Sequence, residues 1–116
     1  MTITRLYTGS DGESHFEEVE INLEDAGDIG RLSGRLPATG IIFRENDPDY
    51  DYTWHVVPRR QYILMMTGEI EIEVGDGTKR RFRAGDILLA EDTTGQGHRS
   101  RLVSEGVRRS VFVTLD

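Results

Sequence analysis

The sequence predicts an all-β domain, a sandwich or barrel of short antiparallel strands. Three observations carry that expectation. Glu69-Ile70-Glu71-Ile72-Glu73-Val74 alternates charged and aliphatic residues without a miss, the period of a strand with one wet face and one dry face. Gly-centred turns recur at short intervals between runs of β-forming residues. No stretch sustains a 3.6-residue apolar period, and there are no internal repeats or low-complexity segments.

Thr2 to Thr8 reads as a short strand, followed by the turn Gly9-Ser10-Asp11-Gly12. Glu13 to Leu23 alternates, with His15, Glu17, Val19 and Ile21 on one face; a strand is expected, with a frayed helix as the alternative. Residues 25–40 contain Gly27, Gly30, Gly34, Pro37 and Gly40 and read as loop. Ile41-Ile42-Phe43-Arg44 is packed with β formers. An acidic, proline-containing loop, 45–51, leads to Tyr52–Val57, a strand stopped by Pro58, which cannot donate to a central ladder.

Gln61 to Thr67 forms the next strand, and Gly68-Glu69 reads as a two-residue hairpin connection into the alternating run. Gly75-Asp76-Gly77 is a further turn, because Asp and Gly tolerate the positive φ of tight hairpins. Lys79–Arg83 returns as a basic strand, Ala84-Gly85-Asp86 turns, and Ile87–Ala90 is apolar enough for a buried strand. Trp54 to Arg101 thus reads as one compact antiparallel unit, with His55 and His98 at its two ends. Ser100–Ser104 continues from His98, Glu105-Gly106 turns, and Val107–Leu115 is the last strand.

At 116 residues the chain is expected to form one domain, 1–116, large enough for a single core without staples. It has no cysteine, which excludes disulfides, thiolate metal sites and cysteine nucleophiles. The first residues show no apolar signal region, and no run approaches the roughly 20 residues of a membrane span, so a soluble cytoplasmic protein is expected. A net charge of −7 argues against nucleic acid as a partner. Arginines nevertheless cluster at 59–60, 80–83, 99–101 and 108–109. Cross-strand pairing on a solvated sheet face accounts for such clusters; a local anion site is the sharper alternative.

Two segments resemble the cupin motifs. Gln61 and Gly68 match the close of the first motif, where an acidic residue precedes a glycine by the same spacing. Gly85-Asp86 followed by Ile87-Leu88-Leu89-Ala90 is similar to the start of the second. The resemblance covers about residues 41–115 and implies a double-stranded β-helix, a jelly-roll barrel with a small-molecule site inside, preceded by N-terminal strands in 1–40. Pro58-Arg59-Arg60-Gln61 and 90–95 also resemble a widespread group of small cupins. The chain departs from the pattern where metal ligands are expected. His55 stands at the first histidine of the first motif, Val57 at the second and Gln61 at the glutamate. In the second motif Glu91 and Thr93 replace proline and glycine, Gln96 falls at the histidine spacing, and His98 arrives two residues late.

The resemblance implies an interior polar pocket around His55, Gln61 and His98. Two imidazoles and an amide oxygen are the expected ligands of one divalent iron, manganese, nickel or zinc ion. The same histidines suit metal-free general acid–base work near neutral pH, or serve only as hydrogen-bonded interior residues. Tyr52 and Arg59 are expected to bind substrate, Arg59 as a carboxylate clamp, with Phe43 and Met65 on the core or pocket wall. His15 is expected at the surface, with entry to the pocket as the alternative. The functional expectation is a small-molecule cupin, metal-assisted or His-mediated, acting as a lyase, isomerase or oxygenase on a small oxygenated or carboxylated metabolite. A non-catalytic metabolite-binding or sensor module is the alternative. As in cupins generally, a homodimer paired through N-terminal strands is expected.

Overall fold

The computed structural model describes residues 1–116. Twelve strands form: β1 Thr2–Thr8, β2 Ser14–Glu20, β3 Glu24–Asp25, β4 Arg31–Leu32, β5 Gly40–Asn46, β6 Asp51–His55, β7 Gln61–Met65, β8 Glu69–Glu73, β9 Lys79–Arg83, β10 Ile87–Ala90, β11 His98–Leu102 and β12 Arg108–Thr114. The only helix is a 3-10 turn, Gly27–Ile29, so no helix is long and apolar enough to cross a membrane.

Two sheets face each other. One has the order β2-β1-β10-β7-β12-β5, the other β6-β11-β8-β9. β3 and β4 form a separate small ribbon in the stretch expected to be loop. Strand β1 runs parallel to β10, with Thr4 opposite Leu88, so the barrel wall includes the N-terminal strands as well as 40–114.

The alternation read from the sequence fills the space between the sheets. On β7, Gln61, Ile63 and Met65 are buried while Tyr62 and Leu64 look outward. On β8, Ile70 and Ile72 point in, where they join Leu6, Val74, Phe82 and Leu88 in the core. The outer face of β8 explains two of the four basic clusters, 80–83 and 99–101. Glu71 stands opposite Arg101 on one side and Arg81 on the other, and both arginines bond its carboxylate.

One turn differs from expectation. Gly68-Glu69 is not a hairpin: β7 and β8 lie in different sheets, and the chain turns a corner between them at Gly68. Within 61–83, the antiparallel hairpin is that of β8 and β9, around Gly75-Asp76-Gly77. Gly68 has φ +78°, and a Cβ there would meet the Cβ of Arg108 at 3.0 Å. The corner therefore needs glycine for conformation and for space.

Candidate binding pocket

A cavity of about 290 Å³ opens between the two sheets. Three strands and one loop place most of its polar groups. β7 contributes Gln61 and β6 contributes His55 and Tyr52. β11 contributes His98 and Ser100, and Tyr50 comes from the loop before β6. The remaining wall is mostly aliphatic and aromatic, including Met65, Ile63 and Phe112.

His55 and His98 are register partners across the β6–β11 ladder, and their ring centroids lie 4.4 Å apart. Between His98 and Ser100 the register shifts: two steps along β11 oppose three along β6, from His55 to Tyr52. The extra residue is a β-bulge on β6. Gly97, at φ +79°, sits directly against the His55 backbone carbonyl, so no side chain fits where β11 begins. The late arrival of His98 in the sequence is thus matched by the geometry of the ladder.

Each imidazole is held through Nδ1. His55 Nδ1 lies 2.7 Å from the Thr53 carbonyl, an acceptor, so Nδ1 carries the proton and Nε2 keeps its lone pair in the neutral ring. The Tyr52 ring stacks on His55 at 3.8 Å. His98 Nδ1 donates to Asp92 Oδ2 at 2.6 Å, and Ser14 Oγ donates to the same oxygen at 2.7 Å. Asp92 is wholly buried. Its other oxygen, Oδ1, has no hydrogen-bond partner, and neither has Gln61 Oε1. Burial of His55 pushes its imidazole below the ordinary value, opposed by the bond to Thr53; the nearby His98 depresses it further.

Two further residues of this cavity carry charge. Arg44 on β5 and Arg108 on β12 both line it. Arg44 stands opposite Ser110 and Arg108 opposite Asn46, so the arginines are diagonal neighbours on the inner face, about 7–8 Å apart along that diagonal. Arg44 Nε donates to Ser110 Oγ at 3.0 Å and its guanidinium lies over the Phe112 ring at 4.5 Å. Arg108, 1% exposed, donates to Asn46 Oδ1 at 2.9 Å and touches Met65 Sδ at 2.7 Å. Neither forms an ion pair with a carboxylate. Burial lowers the pKa of both, and burial together with the charge of Arg44 brings Arg108 to about 10. Asp92, the buried acid nearest the histidines, already accepts from His98 and Ser14.

Of the residues expected at the site, His55, His98, Gln61, Tyr52 and Met65 line the cavity. Phe43 and Arg59 do not. Phe43 is 78% exposed on the outer face, because the inward positions of β5 are Ile42, Arg44 and Asn46. Arg59 lies between Pro58 and Gln61, which line the cavity, without joining them. His15 sits outside, its Nε2 2.9 Å from Asp11. Asp92, Arg44 and Arg108 were not foreseen. Alternation along Arg108-Arg109 requires one of the two to point inward, which was the available signal.

The set His55, Gln61 and His98 is a poor fit for a divalent cation: no three His, Asp or Glu side chains converge, the set contains no carboxylate, and two guanidiniums share the cavity.

Neither a protein-family model nor a curated protein matches the sequence. Solved structures do match in shape. A cupin 2 conserved barrel domain protein from Salinispora arenicola superposes with a TM-score of 0.53 at 21% identity, over 66% of this chain and 61% of that one. A conserved double-stranded β-helix protein from Klebsiella pneumoniae gives 0.52 at 24% identity, over 65% and 64%. The fold is the cupin barrel. The cupin domain of Schizosaccharomyces pombe Cnp3 aligns over all of this chain and 83% of its own, with a TM-score of 0.54 at 12% identity. Cupins host many chemistries on one frame, so the function has to be argued from the cavity.

Proposed function

We propose that this cupin binds a small organic anion, a carboxylated metabolite, inside its barrel and moves a proton on it. One observation carries the reading: Arg44 and Arg108 share the cavity and have no carboxylate partner in the chain. A buried guanidinium without a counter-charge is costly, and a ligand carboxylate matches its fork of donors. The cavity volume suits a metabolite-sized molecule, and its aliphatic wall excludes water around the charges.

The histidines supply the chemistry. Neutral His55, with Nδ1–H on Thr53, offers Nε2 as a base. Asp92 orients His98 and offsets the positive charge that His98 carries when Nε2 is protonated. His55 takes a proton from the bound molecule and His98 returns one at a neighbouring atom. This balance is that of an isomerisation and needs no oxidant.

The test is calorimetric titration with a panel of small mono- and dicarboxylates, followed by NMR of the bound compounds in D2O. Saturable binding that is lost in Arg44→Gln and Arg108→Gln, with solvent deuterium entering the ligand only while His55 is present, is the expected result. Binding without exchange would make the protein a metabolite-binding module, and no binding of any carboxylate would sink the proposal.

A further inference from the structure

Gln61 is 3% exposed and its Oε1 has no hydrogen-bond partner, so a buried amide faces the cavity unpaired. Its neighbours across the sheet do not engage it. Ala90 and Leu6 on one side are apolar, and Thr114 on the other holds its Oγ1 2.7 Å from Thr39 Oγ1. An apolar side chain would serve packing better at this position, since an unpaired buried amide costs stability.

The inner face of the six-stranded sheet is graded along its strands. Met65, Ser110 and Arg44 stand in one row, and Arg108 reaches back to Met65 Sδ, so both guanidiniums belong to that end. Leu88, Ile63 and Phe112 form an apolar row next to it. Gln61 lies in the row beyond, four residues from Met65 on β7, about 13 Å at the rise of a strand. Strand side chains stand roughly perpendicular to their sheet, so much of that spacing carries into the cavity. Asp92 follows Ala90 by two residues and accepts from His98 at 2.6 Å, which puts the imidazole pair at the amide end.

We infer that the ligand is a hydroxy acid whose hydroxyl stands several carbons from its carboxylate. The carboxylate lies on Arg44 and Arg108, the carbon chain over the apolar row, and the hydroxyl on Gln61. The carboxylate end rests on the anion site proposed for the two arginines; the hydroxyl end rests on Gln61. A hydroxyl donates to Oε1 and accepts from the amide nitrogen, whereas an ammonium only donates and a second carboxylate only accepts. An ammonium would also share the cavity with two guanidiniums. In an α-hydroxy acid the two groups sit side by side, so it cannot meet the arginines and Gln61 at once.

Calorimetric titration of the full chain tests this with straight-chain ω-hydroxy carboxylates of increasing length. Each is compared with the unsubstituted carboxylate and the α-hydroxy isomer of equal length, on wild type, Gln61→Met and Arg44→Gln. At the length that spans the cavity, the ω-hydroxy acid should bind wild type about 10-fold or more tighter than either competitor, as pairing one buried amide predicts. Gln61→Met should erase that preference while still binding the unsubstituted carboxylate. Its melting temperature should be no lower than that of wild type, because the orphaned amide is gone. Arg44→Gln should weaken all three compounds together. Equal binding of ω-hydroxy and unsubstituted carboxylates by wild type, or a preference that survives Gln61→Met, would overturn the hydroxy acid and leave the anion site standing. Failure of every carboxylate to bind would overturn both.

Discussion

Arg44 and Arg108 are diagonal neighbours on the inner face of one sheet, two like charges turned toward the same cavity. Their mutual repulsion predicts an unusual mutational result. Arg44→Met should leave the ligand-free protein at least as stable as wild type, because a buried unpaired charge gives way to an apolar side chain of similar length. The same variant should lose any stabilisation by carboxylates. Thermal melts with and without an added dicarboxylate check both arms.

His55 predicts an acid-side instability. Its imidazole is held below the ordinary value, chiefly by burial. As pH falls through about 6.5, the unfolded chain takes up the proton first. The contribution is complete above that pH and is lost as pH falls through the lower folded value. The melting temperature of wild type should therefore drop more steeply below pH 6.5 than that of His55→Gln. Parallel slopes would mean that His55 is not held neutral.

Asp92 predicts a large loss from one truncation. Asp92→Ala leaves His98 Nδ1 and Ser14 Oγ without their buried acceptor. A cost of about 3 kcal/mol is expected. Asp92→Asn keeps an acceptor in place and should cost markedly less. Urea denaturation of the three proteins measures the difference.

The pattern of strands was readable in the sequence because alternation and glycine punctuation are local signals. Glu69–Val74 and Gln61–Met65 bury the sides their spacing assigns. Which sheet a strand joins is not local. Gly68-Glu69 looks the same whether the chain folds back on itself or crosses to the facing sheet, and the residues that crowd Gly68, Arg108 and Ser104, lie about 40 positions away in sequence. Phe43 differs for a related reason: residue type alone places an apolar side chain inside its own barrel, whereas β5 turns Arg44 inward and Phe43 outward. The histidine pair was legible from residue type and position. The arginines were obscured by their number, since most of the others pair across the outer strands.

Two glycines of similar φ should respond differently to alanine. Gly77, at φ +88°, has open space where a Cβ would sit, so Gly77→Ala should cost about 1–2 kcal/mol from backbone conformation alone. Gly97→Ala adds a collision with the His55 carbonyl and should cost clearly more, with chemical-shift changes at both His55 and His98. Equal destabilisation of the two variants would contradict the close approach of β6 and β11.

The cavity should also reject divalent cations. Protein incubated with iron, manganese, nickel or zinc and then desalted should retain far less than one ion per chain by elemental mass spectrometry. Near-stoichiometric retention that disappears in His98→Ala would show that the guanidiniums do not decide the matter.

Strand β12 comes last of the twelve strands in sequence order, yet it lies between β7 and β5 and carries Arg108 and Ser110. Until it clears the ribosome, two sticky strand edges stand open and the pocket lacks a wall. The nascent polypeptide cannot assemble its binding site piecemeal. Maturation has to wait for the codons of Arg108–Thr114, and a message cut short before them should yield an aggregating product rather than a barrel with a weakened pocket.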